Sequence, residues 1–552
     1  MTVSRWAVAA VLAALVILGF YTLPGHTFLA SDTQIYIPIL ERFADPTLYP
    51  HDSIATRPHV TYSIFDEAAL LLRRLSGAGD FQGVLVFQQL IARFCGLLGA
   101  YLLARALTLP PLLALLVPIV FGLGATVAGP AVLTFEYEPV PRGTAICLLV
   151  LALGFFANRR LTAAAAATGI AFLYHPPTAW PVLAVFGLYL LFEARREGPT
   201  ALRPLLVLGS FVLGLFIFSR FQAGETEKQA LFLRIDDELA RLQRLRGAYN
   251  WVTLWPAPYL RMYEFLAAFI ALALLKLRPL LTREARWTFF GLPLTALLSI
   301  PLSLTLLEGL RWSLIPAFQP ARATAFLFVF AVVLSAVAGI LAARRGRIGA
   351  AFLWLLVGFA IPAQTPVLDL LLPDLRSPHS AKRFAIAAVA ALGVAVGVHA
   401  YARGRRVLAP LMLAALLPYL LLPTWGQVVN YKVVDTPDIG QLAQWARGHT
   451  PKSAMFLFPD GGKDPAASIF RARSLRGVYV DWKGGGQVNL LKDFADEWWE
   501  RWHNVLEPGY SPARIPEYAA RGIDYLVLLK QNRLAGETPL FQNERFLVYK
   551  IR

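Results

Sequence analysis

The stretch WAVAAVLAALVILGFYTLPGHTFLASDTQIYIP, residues 6–38, decides how the chain is read. Its first part, 6–23, is an uninterrupted apolar run long enough as a helix to cross roughly 30 Å of hydrocarbon. Arg5 precedes it and no small-residue cleavage pattern follows, so it reads as a retained signal anchor with its N-terminus in the cytoplasm. Asp32 comes only a few residues after the run, which puts a carboxylate at the outer membrane boundary, where partial dehydration suits a base. Ser31-Asp32-Thr33 is equally a helix N-cap pattern, and both readings stand at this point.

Working outward, apolar runs recur near 83–104, 109–128, 143–157, 161–174, 178–192, 204–219, 260–275, 287–306, 323–343, 348–364, 384–401 and 407–424, each bounded by Pro, Gly or charge. With the first, they make thirteen candidate crossings. The composition agrees: of 552 residues, 57% are hydrophobic and 16% charged, and the mean hydropathy is +0.54. An ordinary soluble enzyme carries about 25% charged residues, so that class is excluded. The net charge of +17 belongs to topology rather than to a nucleic-acid partner. Arg105, Arg159/Arg160, Arg195/Arg196/Arg203, Lys276/Arg278/Arg283/Arg286, Arg344/Arg345/Arg347 and Arg403/Arg405/Arg406 occupy every second connection and fall on one side. The expected topology is N-in and C-out, with a long first outer loop at 24–81 and another at 220–258. The short spans around His175-Pro176-Pro177 read as two crossings or as a re-entrant hairpin of the same parity. Cys95 and Cys147 lie inside apolar runs and read as packing residues.

From about 427 onward Asp, Glu, Lys and Gly return. Apolar residues regroup into short strands at Ala454–Phe458, Val478–Trp482, Tyr525–Leu529 and Phe546–Ile551, with helices at Ile439–Arg447 and Asn489–Asn504 between them. The expected fold class is therefore an α-helical polytopic membrane protein, residues 1–426, with a C-terminal extracytoplasmic α/β domain, residues 427–552. Gly484-Gly485-Gly486 reads as a flexible turn.

The outward loops hold the polar residues. Phe135-Glu136-Tyr137-Glu138-Pro139-Val140-Pro141-Arg142 is wedged between two apolar runs. In extended backbone Glu136 and Glu138 point to one side, a pair able to share a proton, hold a divalent metal or orient an acceptor hydroxyl; a plain Glu–Arg pair with Arg142 accounts for one of them. Arg311 and Arg322 flank an outward Pro316–Pro320 turn and suit a phosphate that a guanidinium grips with two hydrogen bonds; snorkelling to ordinary lipid phosphate is the plainer role. Tyr36 and His175 are candidate substrate contacts, although a lone His at a helix end is more often structural. Residues 225–246 read as an amphipathic helix along the outer interface. No P-loop, zincin or serine-hydrolase motif is present.

Asp32 just after the first span, the acidic second outer loop with Glu136 and Glu138, the many spans and the outer α/β tail together resemble the GT-C superfamily of integral-membrane glycosyltransferases. That superfamily includes protein O-mannosyltransferases, oligosaccharyltransferases and the aminoarabinose transferases of lipid A. Asp32–Pro38, Leu48–Asp52 and Val478–Lys483 are also similar to stretches of bacterial membrane proteins of this type. The resemblance implies transfer of a sugar from a polyprenyl-phosphate or polyprenyl-diphosphate carrier to a glycan, lipid or protein acceptor at the outer face of the membrane. It implies Asp32 as general base, Glu136 and Glu138 on the acceptor or a metal, and Arg142, Arg311 and Arg322 on the departing phosphate. Asp32 has no adjacent second acid of the kind several members carry, which leaves the metal requirement open. The Ala/Leu/Arg-rich usage suits a bacterial inner membrane.

Two other classes stay in view. A transporter or flippase needs ionisable residues within spans, and Arg93 is the one good candidate. A non-catalytic envelope assembly factor would recruit partners through Tyr479, Trp482, Trp498, Trp499 and Trp502, which as simply form the core of the tail.

Overall fold

The computed structural model describes residues 4–58, 62–197, 199–222, 233–364, 378–490 and 492–552. Twelve of the thirteen apolar runs are helical. Among the described residues, five helices are long and apolar enough to cross a membrane: Phe81–Ala106, Pro176–Arg196, Arg283–Gly309, Ile315–Arg344 and Ser380–Ala402. Shorter apolar helices, Arg5–Tyr21 and Pro141–Ala157 among them, complete the bundle. Ala325–Arg344 is its axis, buried at every residue from Ala325 to Ala343, as expected of a helix apolar on all sides. Phe81–Ala106 and Pro141–Ala157 meet backbone to backbone: a Cβ on Gly99 would stand 2.4 Å from the Val150 carbonyl, and one on Gly154 2.8 Å from the Gly99 carbonyl. Cys147 packs beside Gly96 at the same seam. Small residues permit such contact, and here it fixes where Arg142 enters the site.

The run 109–128 departs from the expected straight span. Pro118 lacks the N–H that would bond the Ala114 carbonyl, and its ring crowds that carbonyl. The run accordingly breaks into Pro111–Ala114 and Leu116–Phe121, then ends in a hairpin pairing Thr126–Val127 with Val132–Leu133. In 161–192, the helices Leu161–Tyr174 and Pro176–Glu197 meet at His175.

The first outer loop folds into Thr33–Ala44, Ser53–Thr56 and Phe65–Ser76. The tail forms a five-stranded sheet in the order Gly477–Val478, Met455–Leu457, Tyr525–Leu529, Phe546–Lys550, Phe541–Gln542. The first three strands run parallel, and Phe546–Lys550 runs antiparallel to both of its neighbours. Its core is shared with the first loop: Ile37, Leu40, Phe65 and Ala69 pack with Phe456, Phe470 and Val527. Arg471, buried in the tail, donates to Asp52 at 2.6 Å and also to Asp481, and the Tyr49 hydroxyl donates to the Arg471 carbonyl at 3.0 Å. Buried charges persist where they are paired, and this cluster clamps the tail to the loop.

Of the amphipathic helix expected at 225–246, residues 225–232 lie outside the described residues. The remainder, Asp237–Arg246, buries Leu239, Ala240 and Leu242 in the core formed with Trp498 and Val505. Its apolar face therefore covers the tail rather than a lipid surface, correcting the interfacial expectation. The glycine triplet is likewise no loose turn. It opens the 3-10 helix Gly484–Asn489, and a Cβ on Gly485 would lie 2.4 Å from the Trp498 ring.

Candidate active site

The helix Thr33–Ala44 begins at Asp32, yet the Asp32 side chain makes no capping hydrogen bond. Glu138 does that work instead. Its Oε1 accepts from the backbone N–H of Ala30 at 2.6 Å and of Ser31 at 2.7 Å and from the Thr33 hydroxyl at 2.9 Å, while Oε2 accepts from the Thr33 N–H at 3.3 Å. The Thr33 N–H at the helix start and two N–H groups just ahead of it are thus satisfied from another loop, and the Asp32 carboxylate is released for other partners. The capping alternative read from Ser31-Asp32-Thr33 does not hold.

Those partners are two cations. Arg142 Nη1 donates to Asp32 Oδ2, and Lys483 Nζ donates to Asp32 Oδ1 at 2.6 Å and to the Ser31 hydroxyl at 3.2 Å. Arg142 turns its Nε to Glu136 Oε1 at 2.7 Å and its Nη2 to Glu136 Oε2 at 3.4 Å. Glu136 and Glu138 therefore bond different partners, one Arg142 and the other the Asp32 loop. Burial disfavours ionisation of Asp32, but the Lys483 ammonium and the Arg142 guanidinium outweigh it and hold its carboxyl well below the usual range. Burial, with the Asp32 charge, pushes the Glu138 carboxyl up against the pull of its hydrogen bonds.

Asp32 opens onto a cavity of about 790 Å³. Arg142, Arg246, Arg322 and Lys483 line it, and Asp32 is the carboxylate among them. No hydrogen bond or ion pair engages the Arg322 guanidinium among the described residues; its Nε is buried without a partner and the group lies 6.0 Å from the Tyr249 ring. Arg246 stacks 3.9 Å over the Trp482 ring and donates to the Trp482 carbonyl at 2.5 Å. One wall is apolar, with Phe172, Leu215, Phe216, Leu314 and Phe318.

Tyr36 and His175 also line the cavity. Burial and the Asp32 charge push the Tyr36 phenol up, so it keeps its proton as a donor. His175 Nδ1 lies 2.9 Å from the Thr178 hydroxyl. Arg311 is not brought to the cavity. Its backbone is left-handed, at φ 54°, and its guanidinium pairs with Asp237 at 2.5 Å. Arg93 donates to the carbonyls of Gly25 at 2.6 Å and Glu136 at 2.8 Å, so it fastens two site loops together. Sequence reasoning missed Lys483 and Arg246; the one signal was a lysine immediately ahead of three glycines in an otherwise ordinary tail.

A divalent metal does not fit these residues. The oxygens of Asp32 and Glu136 are taken by Arg142 and Lys483, and Glu138 is spent on backbone donors. Among the described residues no group of three or more His, Cys, Asp and Glu side chains is disposed to hold a metal ion.

Residues 437–505 match a family model described as a domain of unknown function, DUF6798. No curated protein matches the chain in sequence. Among solved structures, it is similar to apo ArnT from Cupriavidus metallidurans, at 16% identity and a TM-score of 0.49 over 99% of this chain and 98% of that one. It is similar to the apo oligosaccharyltransferase of Archaeoglobus fulgidus, at 13% identity and a TM-score of 0.45 over 95% and 70%. The arabinosyltransferase EmbB from Mycobacterium smegmatis follows at 14% identity and a TM-score of 0.33 over 98% and 46%.

Proposed function

We propose that this chain is a membrane glycosyltransferase that moves a sugar from a polyprenyl-phosphate carrier to a hydroxyl acceptor at the outer face of a bacterial cytoplasmic membrane, with the C-terminal unit extracytoplasmic. The observation that carries this reading is the cavity in which one ionised carboxylate, Asp32, stands among Arg142, Arg246, Arg322 and Lys483 beside an apolar wall. A phosphate on a hydrocarbon chain asks for that combination: guanidinium groups for the anion and an apolar surface for the lipid.

In the reaction proposed, Arg322, whose guanidinium has neither a hydrogen-bond nor an ion-pair partner among the described residues, takes the donor phosphate first. Arg142 and Lys483 are then drawn partly from Asp32 toward the same phosphate. Losing them raises the basicity of Asp32 at the moment a base is required. The acceptor oxygen attacks the anomeric carbon opposite the phosphate, its proton passes to an Asp32 oxygen, and the bond from that carbon to the phosphate oxygen breaks. The phosphate keeps the bonding electrons and stays on the lipid. The cations that held Asp32 ionised in the resting site now stabilise the leaving charge. A single displacement of this kind inverts the anomeric centre. Glu136 keeps Arg142 aimed, and Glu138 keeps the Asp32 loop in place.

Titration of the detergent-solubilised full chain with undecaprenyl phosphate, read by native mass spectrometry, tests the reading. Arg322→Gln is expected to weaken binding by roughly tenfold to a hundredfold, the worth of a hydrogen bond to a charged group. Equal affinity in the two proteins would contradict it.

A further inference from the structure

At the other end of the axial helix is a second cavity, of about 1000 Å³, to which the proposed reaction assigns nothing. Arg322, one turn before the start of Ala325–Arg344, lines the Asp32 cavity, and Arg344, its last residue, lines this one. The 20-residue helix between them spans roughly 30 Å, the thickness of the hydrocarbon layer. The second cavity therefore lies a membrane thickness from the first, at the ends of the spans joined by the arginine-rich connections.

Its lining is of two kinds. Arg344, Arg345, Arg405 and Arg406 supply charge, all four exposed, and no acidic side chain lines the cavity. None of the four makes an ion pair among the described residues. Pro110, Leu112 and Leu113 of the broken run, with Leu280 and Leu341, supply apolar lining. Arginines that only fix orientation need no cavity between them. Here two arginine-bearing connections, 344–345 and 405–406, converge on one recess, to which the broken run adds apolar lining. A free anion would find the charge but have no use for the apolar lining. A zwitterionic lipid would cover the apolar lining but leave the charge unmatched.

We propose that this recess binds an anionic phospholipid of the leaflet opposite the Asp32 cavity, its phosphate between Arg345 and Arg406 and its first acyl carbons against Leu112, Leu113 and Leu341. Basic pockets between spans at a membrane surface bind anionic headgroups in this way. The lipid would brace the ends of Ala325–Arg344 and Ser380–Ala402 against the broken run.

The test is titration of the full chain in detergent with dioleoylphosphatidylglycerol and, separately, dioleoylphosphatidylcholine, read by native mass spectrometry. Arg345→Gln combined with Arg406→Gln is expected to weaken phosphatidylglycerol binding roughly thirtyfold, at the usual worth of two basic groups on an anionic surface. Phosphatidylcholine binding is expected to be unchanged. Because both arginines are exposed and unpaired, the double variant should melt like wild type in detergent without added lipid. Its binding of undecaprenyl phosphate should also be retained, which separates this site from the Asp32 cavity. Equal phosphatidylglycerol binding in wild type and the double variant would overturn the proposal. So would displacement of the lipid by an equal concentration of inorganic phosphate, which would mark a site for a free anion.

Discussion

Lys483 of the C-terminal unit donates to Asp32 of the first outer loop at 2.6 Å, across 451 positions of sequence. The carboxylate at the centre of the site is thus finished by a residue of the tail, and the tail is part of the machinery proposed here. Lys483→Met removes one of the two cations that hold Asp32 ionised while leaving its burial intact. The acid limb of the pH–activity profile should move to higher pH, and Lys483→Arg should restore it. A profile of unchanged shape in Lys483→Met would show that Lys483 does not act through Asp32.

The depressed Asp32 carboxyl also makes a stability prediction. Its ion pairs contribute stability that is fully present above the unfolded value near 4 and is lost as pH falls toward the lower folded value. Melting temperatures of wild type and Asp32→Asn should differ by a constant amount between about pH 5 and 8, and the gap should close below about pH 4. A gap that widens on acidification would contradict the assigned charge state.

Glu138→Ala leaves the N–H groups of Ala30, Ser31 and Thr33 without their acceptor. The expected cost is about 1–3 kcal/mol in thermal or denaturant unfolding, with a larger proportional loss of activity because Asp32 rides on that loop. Wild-type activity with reduced stability would show that the loop does not position Asp32.

The glycine triplet offers a paired test within two residues. Gly485→Ala would push a Cβ into Trp498 and is expected to cost about 1–3 kcal/mol. Gly486→Ala meets open space and should stay within about 0.5 kcal/mol of wild type. Denaturant unfolding of the two variants, with limited proteolysis of the tail, measures the difference.

Much of the architecture was legible because it is written locally. Uninterrupted apolar runs bounded by Pro, Gly and Arg announce helices whatever surrounds them, and Tyr525–Leu529 and Phe546–Lys550 could be read as strands from their composition. The break in 109–128 was legible too in principle, since Pro118 sits mid-run, but hydropathy alone passes over a missing N–H. Asp32, Glu136 and Arg142 stood out as charges close to long apolar runs, where each needs a reason. Arg311 stood out by the same logic and lies elsewhere, because its left-handed backbone and Asp237 turn it away. Lys483 and Arg246 could not be placed from sequence. Their positions are set by the docking of the tail on the first loop through Arg471 and Asp52, 419 positions apart, and by the contact of Arg246 with Trp482, 236 positions apart.

Asp32 as the base in a lipid-linked sugar transfer is tested by one comparison that needs no prior guess of the sugar. Polyprenyl-linked sugars and envelope glycans are measured by mass spectrometry in cells lacking the protein, complemented with wild type or with Asp32→Asn at matched membrane levels. One lipid-linked sugar should accumulate and one glycan modification should disappear, and wild type alone should reverse both. Full reversal by Asp32→Asn, or no change in any lipid-linked sugar, would contradict this role of Asp32.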